Sequence, residues 1–235
     1  MPQKAYKQEV LVEGSPEYEA RAGQLVSSFS GQSFSVERQD YLMEYVCKTE
    51  CETLEKYDRT IRVSVMVASR FTYHSQSDPI GYIKKGFKIR LSHKFQKDDP
   101  DINLRLLCGQ GVAGAAFSSG SWAIGDRATN SITMQKGDMI KGIDHNFDEV
   151  QRSKVGHLKF ICSYPIKKLE RRGGRALPIG KVIGVINIDS SEKTLKDFEQ
   201  SGILQHLLGE TKPDGTKKQG RMSDLADAVA YLLTE

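Results

Sequence analysis

The chain has 235 residues, 38% of them hydrophobic, 27% charged, with a net charge of +4. That length and apolar content suffice for one substantial core plus helical extensions. No window approaches the roughly 20 apolar residues of a membrane span, the start MPQKAYKQEVLVEG has no apolar signal-peptide core, and Cys47, Cys51, Cys108 and Cys162 lack disulfide-scaffold spacing; the expectation is a cytoplasmic protein in a reducing compartment.

Taken in order, Lys7–Glu13 is a short extended candidate, and Ser15-Pro16-Glu17 supplies an N-cap, a first-turn proline and an acid ahead of a helix over Tyr18–Phe29. Ser27–Ser35 is a loop, and the sequence predicts a longer helix over Val36–Tyr57. There Leu42, Met43, Val46, Cys47, Cys51 and Leu54 recur at intervals of three and four, with charged residues between them. Ile61, Val63, Val65 and Val67 alternate with smaller or polar residues as a first strand, Phe71–Gly86 reads as a polar connection, and Phe87–Phe95 alternates cleanly with Lys88, Arg90, Ser92 and Lys94.

Beyond the acidic loop Gln96–Asp101, Leu104–Cys108 leads into Gly109-Gln110-Gly111-Val112-Ala113-Gly114, a literal GxGxxG. A dinucleotide fold needs that motif inside a parallel βαβ unit, and the flanking elements here read as antiparallel. The turn can still present free N–H groups to an anion at the start of a short helix, Val112–Ser119. Ser121–Asp126 is a strand; Arg127–Gly156 has no lasting period and reads mainly as loop, with a helical turn near Asp148–Arg152.

Phe160–Ile166 and Lys181–Asp189 are β-branched, nearly uncharged runs that flank a Gly-, Pro- and Arg-rich segment, the pattern of a central antiparallel pair covered on both faces. Most of the net charge is local to that tip, where Lys167, Lys168, Arg171, Arg172, Arg175 and Lys181 oppose Glu170. Leu195–Leu208 reads as a helix and Gly209–Arg221 as a polar linker. Ser223 and Asp224 cap a final amphipathic helix with the stripe Leu225, Val229, Leu232, Leu233. The expected organisation is an N-terminal extension (1–35), one globular domain (36–208), a linker (209–221) and a C-terminal helix (222–235).

The order GQGVAGAAFSSGSWAIGD, FICSYPI, GKVIGVINIDS resembles the GAF domain family of small-molecule sensors over Gly109–Ser191, with plausible elements from about Asp40 to Leu208. The resemblance implies an α+β domain with a central antiparallel sheet of about five or six strands. The helices Val36–Tyr57 and Leu195–Leu208 then cover one face and ligand-side loops the other. It also implies a small-molecule ligand lying between the sheet and the segments Gly111–Ser119 and Arg127–Gly156, with Trp122, Ile124, Asp126, Met139, Ser163 and Tyr164 as wall residues. A core role for Trp122 and a strand-end cap for Asp126 are the plainer alternatives.

No catalytic or cofactor motif stands beside this. Cys47 and Cys51 share a helix face, but His74, His93, His145, His157 and His206 are scattered, so no zinc set forms. The serine-hydrolase elbow, the Walker loop and HExxH are all missing. The reading is a sensory or regulatory module without catalysis of its own, with the cofactor unknown. Two alternatives are a thiol-dependent enzyme of the free methionine sulfoxide reductase branch, using Cys108 or Cys162, and a nucleotide binder that uses Arg171, Arg172 and Arg175 as an anion-binding patch. That basic tip carries no aromatic residue for base stacking, which disfavours nucleic acid. The apolar stripes of the terminal helices suggest a homodimer, and the lack of an output domain suggests a separate output protein.

Overall fold

The computed structural model describes residues 36–75, 78–95, 98–172, 175–211 and 217–234, without the side chains of 71–75, 78–85, 171–172, 175–179, 211 and 217. The expected elements over residues 7–35 lie outside it. Helix α1 (Val36–Leu54) turns Met43, Cys47, Cys51 and Leu54 to one buried side, as their spacing requires. It stops three residues short of Tyr57, because the Tyr57 N–H closes a tighter turn on the Leu54 carbonyl and Asp58 binds the Thr60 N–H and the Ser190 hydroxyl.

Two long hairpins form the middle of the sheet. β1 (Arg62–Ser75) pairs antiparallel with β2 (Asp78–His93), and β7 (Phe160–Arg172) with β8 (Arg175–Ser190). The segments 71–86 and 167–181, read from sequence as a connection and an exposed tip, prolong these ladders to Ser75↔Asp78 and Arg172↔Arg175. Backbone pairing does not need alternating apolar side chains, so polar ribbons beyond the core leave no hydrophobic signature. β1 also pairs with β8, which joins the hairpins. Gly184 sits at that join, where an added Cβ would meet the Met66 carbonyl oxygen at 2.5 Å. Pro165 lies past the β4 pairing, which ends at Ala123↔Ser163, so its missing N–H costs no ladder bond.

The full order is β3-β2-β1-β8-β7-β4-β5-β6, with every neighbour antiparallel. β3 is Arg105–Leu107, β4 Ala123–Asp126, β5 Ser131–Met134 and β6 Met139–Lys141. The fold is therefore α+β with an antiparallel sheet, as expected, but with eight strands in place of five or six. β5 and β6 come from the stretch read as loop, being too short, at four and three residues, to show a period.

Alternation along each strand sends successive side chains to opposite faces. Val63, Val65, Ile124, Cys162, Ile186 and Ile188 meet α1, α4 (Leu195–Gln200), α5 (Ile203–Leu208) and α6 (Arg221–Thr234). Met66, Phe87, Ala123, Ile132 and Val185 meet α2 (Gly111–Ser119), α3 (Glu149–Val155) and the segment around Phe147. The helix expected over Leu195–Leu208 is two, broken where Gly202 takes φ +73°.

β9 (Gly209–Thr211) and β10 (Lys217–Gln219) form a small ribbon within the expected linker. It leads into α6, whose Leu225, Val229 and Leu232 are at most 4% exposed. Burying such side chains is worth roughly 1.5–3 kcal/mol each, which holds this short helix on the sheet. Arg221 Nε donates to Glu50 Oε2 at 2.9 Å and ties α6 to α1. The apolar stripes of both terminal helices are thus spent within the chain. Val36, Tyr41 and Tyr45 remain exposed on the outer side of α1.

Candidate functional site

The Gly-rich turn is held by a buried pair of amides that the sequence did not single out. Gln110 Oε1 accepts the Leu107 N–H at 2.7 Å, and its Nε2 donates to the Asn146 carbonyl at 2.7 Å. Gln110 and Gln151 exchange hydrogen bonds at 3.2 and 3.1 Å, and Gln151 Nε2 also reaches the Arg105 carbonyl at 2.8 Å. Gln151 closes the capping box of α3 with Asp148, so one side chain fixes both a helix start and the turn facing it. The Gly111 N–H, expected to be available to an anion, donates to the His145 carbonyl at 2.8 Å. The Phe147 ring fills the space a Gly111 side chain would need.

Across from this turn, the same face of the sheet carries two polar groups. Ser163 Oγ donates to Asn187 Oδ1 at 2.7 Å, and Asn187 Nδ2 donates to Ser64 Oγ at 3.3 Å, linking β7, β8 and β1. One register step along, Arg62 Nε donates to Asp189 Oδ1 at 2.7 Å. Its terminal nitrogens bind both oxygens of Asp101, at 3.2 and 2.8 Å, and Asp99 at 3.3 Å. The Phe95 ring covers the guanidinium at 4.0 Å. Burial pushes Asp189 up to about 6, against the opposing pull of Arg62. Burial alone would lower Arg62, but Asp189 and Asp101 outweigh it and hold the guanidinium above its ordinary value.

Between these polar groups and the cover formed by α2, α3 and residues 143–147 lies a cavity of about 50 Å³. Ser64, Asp101, Asn187 and Asp189 line its polar side; Met66, Ile89, Leu106, Val112, Ile143, Phe147 and Ile161 supply much of its apolar wall. On that measure one water needs about 10–15 Å³, so there is room for a few waters or a small ligand group.

The structure distributes the expected wall residues widely. Ser163 alone among them lies on the cavity side, behind Asn187. Ile124, Tyr164 and Trp122 pack with the cluster under the terminal helices. Asp126 is buried on that same side and accepts the N–H groups of Ala128, Thr129 and Leu195, as a strand-end cap does. Met139 is 68% exposed on β6. The side chains of Arg171, Arg172 and Arg175 lie outside the described residues.

None of the four cysteines lines the cavity. Cys162 sits on the helix-covered face, its thiol pushed up to about 12 by burial. Cys47 and Cys51 share the buried side of α1, as expected, and burial pushes both up to about 12. Cys108 is exposed just after β3. Among the described residues no group of three or more His, Cys, Asp or Glu is placed to hold a metal ion, and no helix is long and apolar enough to cross a membrane.

No protein-family model and no curated protein matches the chain. Solved structures do match. The GAF domain of A. aeolicus Nlh2 in an inactive state is 11% identical, covering 92% of this chain and 94% of its own, with a TM-score of 0.42. The chain is similar to solved GAF domains. Another is the GAF domain of a two-component sensor histidine kinase from Bacillus halodurans, 14% identical over 73% of this chain and 89% of its own, with a TM-score of 0.34. A type II free methionine-R-sulfoxide reductase from Thermoplasma acidophilum is similar as well, 16% identical over 84% of this chain and 93% of its own, with a TM-score of 0.42.

Proposed function

We propose that this chain is a sensory or regulatory module that binds a small molecule in the cavity beneath α2 and α3 and passes the change to a partner through its terminal helices. The observation that carries the reading is the make-up of that cavity. Four polar side chains from β1, β8 and the segment before β3 are buried along its floor, where a purely structural core would bury apolar groups at lower cost. β8 supplies a physical route for the output. Asn187 and Asp189 face the cavity while the alternating Ile186 and Ile188 pack in the cluster with α1 and α6. A ligand that shifts β8 alters both sets of contacts together.

A thiol enzyme working in this cavity would need a cysteine there, and none of the four lines it. That favours binding over thiol chemistry. The output reaches a separate protein, or a second copy, through the exposed side of α1 around Tyr41 and Tyr45.

Native mass spectrometry of the full chain purified from its own host tests the reading. The expected result is a retained small molecule, absent from an Ala113→Phe variant whose new side chain fills the cavity from α2. Identical spectra for the two proteins would overturn it. Hydrogen exchange should then slow in α1 and α6 when the molecule is restored. Light scattering that gives a monomer at tens of micromolar would remove the second-copy version.

A further inference from the structure

Resting on the reading of this cavity as a binding site, we propose that its ligand presents a small organic cation, an alkylammonium or guanidinium group, and that Asp189 is the carboxylate that receives it. The first ground is charge. Among the described residues the lining includes two carboxylates, Asp101 and Asp189, and no lysine, arginine or histidine. Arg62 lies behind them and is not part of the lining, so a single guanidinium answers two carboxylates at the wall, with Asp99 reaching it as well. Any anion entering here would meet like charge in a poorly solvated space.

The second ground is the hydrogen-bond inventory of the cavity floor. Asp101 gives both oxygens to Arg62. Asp189, 4% exposed, gives it only Oδ1, and Oδ2 accepts nothing from the described residues. The Ser163 hydroxyl is spent on Asn187, and an Asn187 amide hydrogen on Ser64. The Gly111 N–H, the donor an anion would have used, is taken by the His145 carbonyl. The floor keeps two neutral donors, the Ser64 hydroxyl hydrogen and the second Asn187 amide hydrogen, beside the anionic Asp189 Oδ2, which has no donor among the described residues. A buried carboxylate with a free lone-pair face is costly, and a cation with N–H donors removes that cost. The Phe147 ring and aliphatic side chains fit the short apolar part of such a group. At about 50 Å³ the cavity admits a fragment the size of propylammonium.

Calorimetry and thermal unfolding of the full chain with propylammonium, propanol and propionate, at fixed ionic strength, test this. Saturable binding of propylammonium is expected, with propanol and propionate silent. Asp189→Asn should weaken that binding about tenfold or more, and Ala113→Phe should abolish it. The second variant keeps the test informative should the first fail to fold. Propylammonium binding that survives Ala113→Phe would put the cation elsewhere and overturn the proposal. Binding of propanol or propionate, with propylammonium silent and Ala113→Phe blocking the signal, would overturn the cation while leaving a ligand cavity. No binding of any probe to the folded chain would overturn the cation site; identical host-purified spectra for wild type and Ala113→Phe would overturn the cavity as well.

Discussion

Arg62 and Asp189 face one another across β1 and β8, Nε to Oδ1 at 2.7 Å, and are only 8% and 4% exposed. This contact fixes the cavity floor and joins the two hairpins. Arg62 also binds Asp101, so a single guanidinium on β1 neutralises carboxylates from β8 and from the segment before β3.

Replacing Arg62 by Leu strands two buried carboxylates. Breaking a buried ion pair from one side costs about 3–5 kcal/mol. Urea unfolding should therefore show a loss in that range for Arg62→Leu, and a loss below about 1 kcal/mol would mean that the pair is not closed in solution.

The pH dependence follows from Asp189. Burial pushes its folded value to about 6, above the ordinary value of about 3.9, so the folded state holds this proton more tightly than the unfolded one. The contribution is full below about pH 4 and is lost as pH rises through about 6. Asp227 on α6, pushed to about 6 by burial and then by Asp224, acts in the same sense. Exposed Glu55 and Asp197, lowered by the hydrogen bonds of Lys94 and Thr194, oppose it. The informative quantity is the stability difference between wild type and Asp189→Asn, which should shift against the wild type by on the order of 2–3 kcal/mol from pH 4 to pH 7. A pH-independent difference would show that Asp189 titrates normally.

Gln110→Leu should cost about 1–3 kcal/mol, because the buried Gln151 amide loses its partner, and the partly buried Leu107 N–H and Asn146 carbonyl lose theirs. Hydrogen exchange should accelerate around residues 143–148 and at the start of α2 before it does in the central hairpins. Uniform acceleration across the sheet would deny Gln110 its role as a local clamp.

The thiols sort by exposure. Cys108 is exposed, while Cys47, Cys51 and Cys162 are buried with their thiols pushed up to about 12. A thiol reagent at neutral pH should therefore label Cys108 quickly and the other three only after denaturant is added. Rapid native labelling of Cys162 would mean that α6 leaves the sheet readily.

Much of this was legible in the sequence, because burial leaves a periodic trace. The three- and four-residue spacing in α1, the β-branched runs of β7 and β8, and the Gly-rich turn each report a local preference that the fold obeys. Ends and short elements were not legible. β5 and β6, at four and three residues, are too short to show a period, so the strand count rose from five or six to eight, while the polar outer halves of the hairpins lengthened strands already expected. Gln110 and Gln151 leave no trace in the sequence, because a buried glutamine looks the same there as a solvated one.

The sequence by itself determined that two apolar strands lie side by side and antiparallel at the centre of an α+β sheet, since only mutual pairing with cover on both faces accommodates such runs. Which side chains look into the cavity was decided by tertiary structure. A strand alternates its faces without saying which face meets the terminal helices, and a one-residue change of phase exchanges Ser163 for Tyr164 and Asp189 for Ile188. Packing α1 and α6 against Ile186 and Ile188 sets that phase, and the polar residues of β8 then face the cavity because their neighbours are buried beneath the helices.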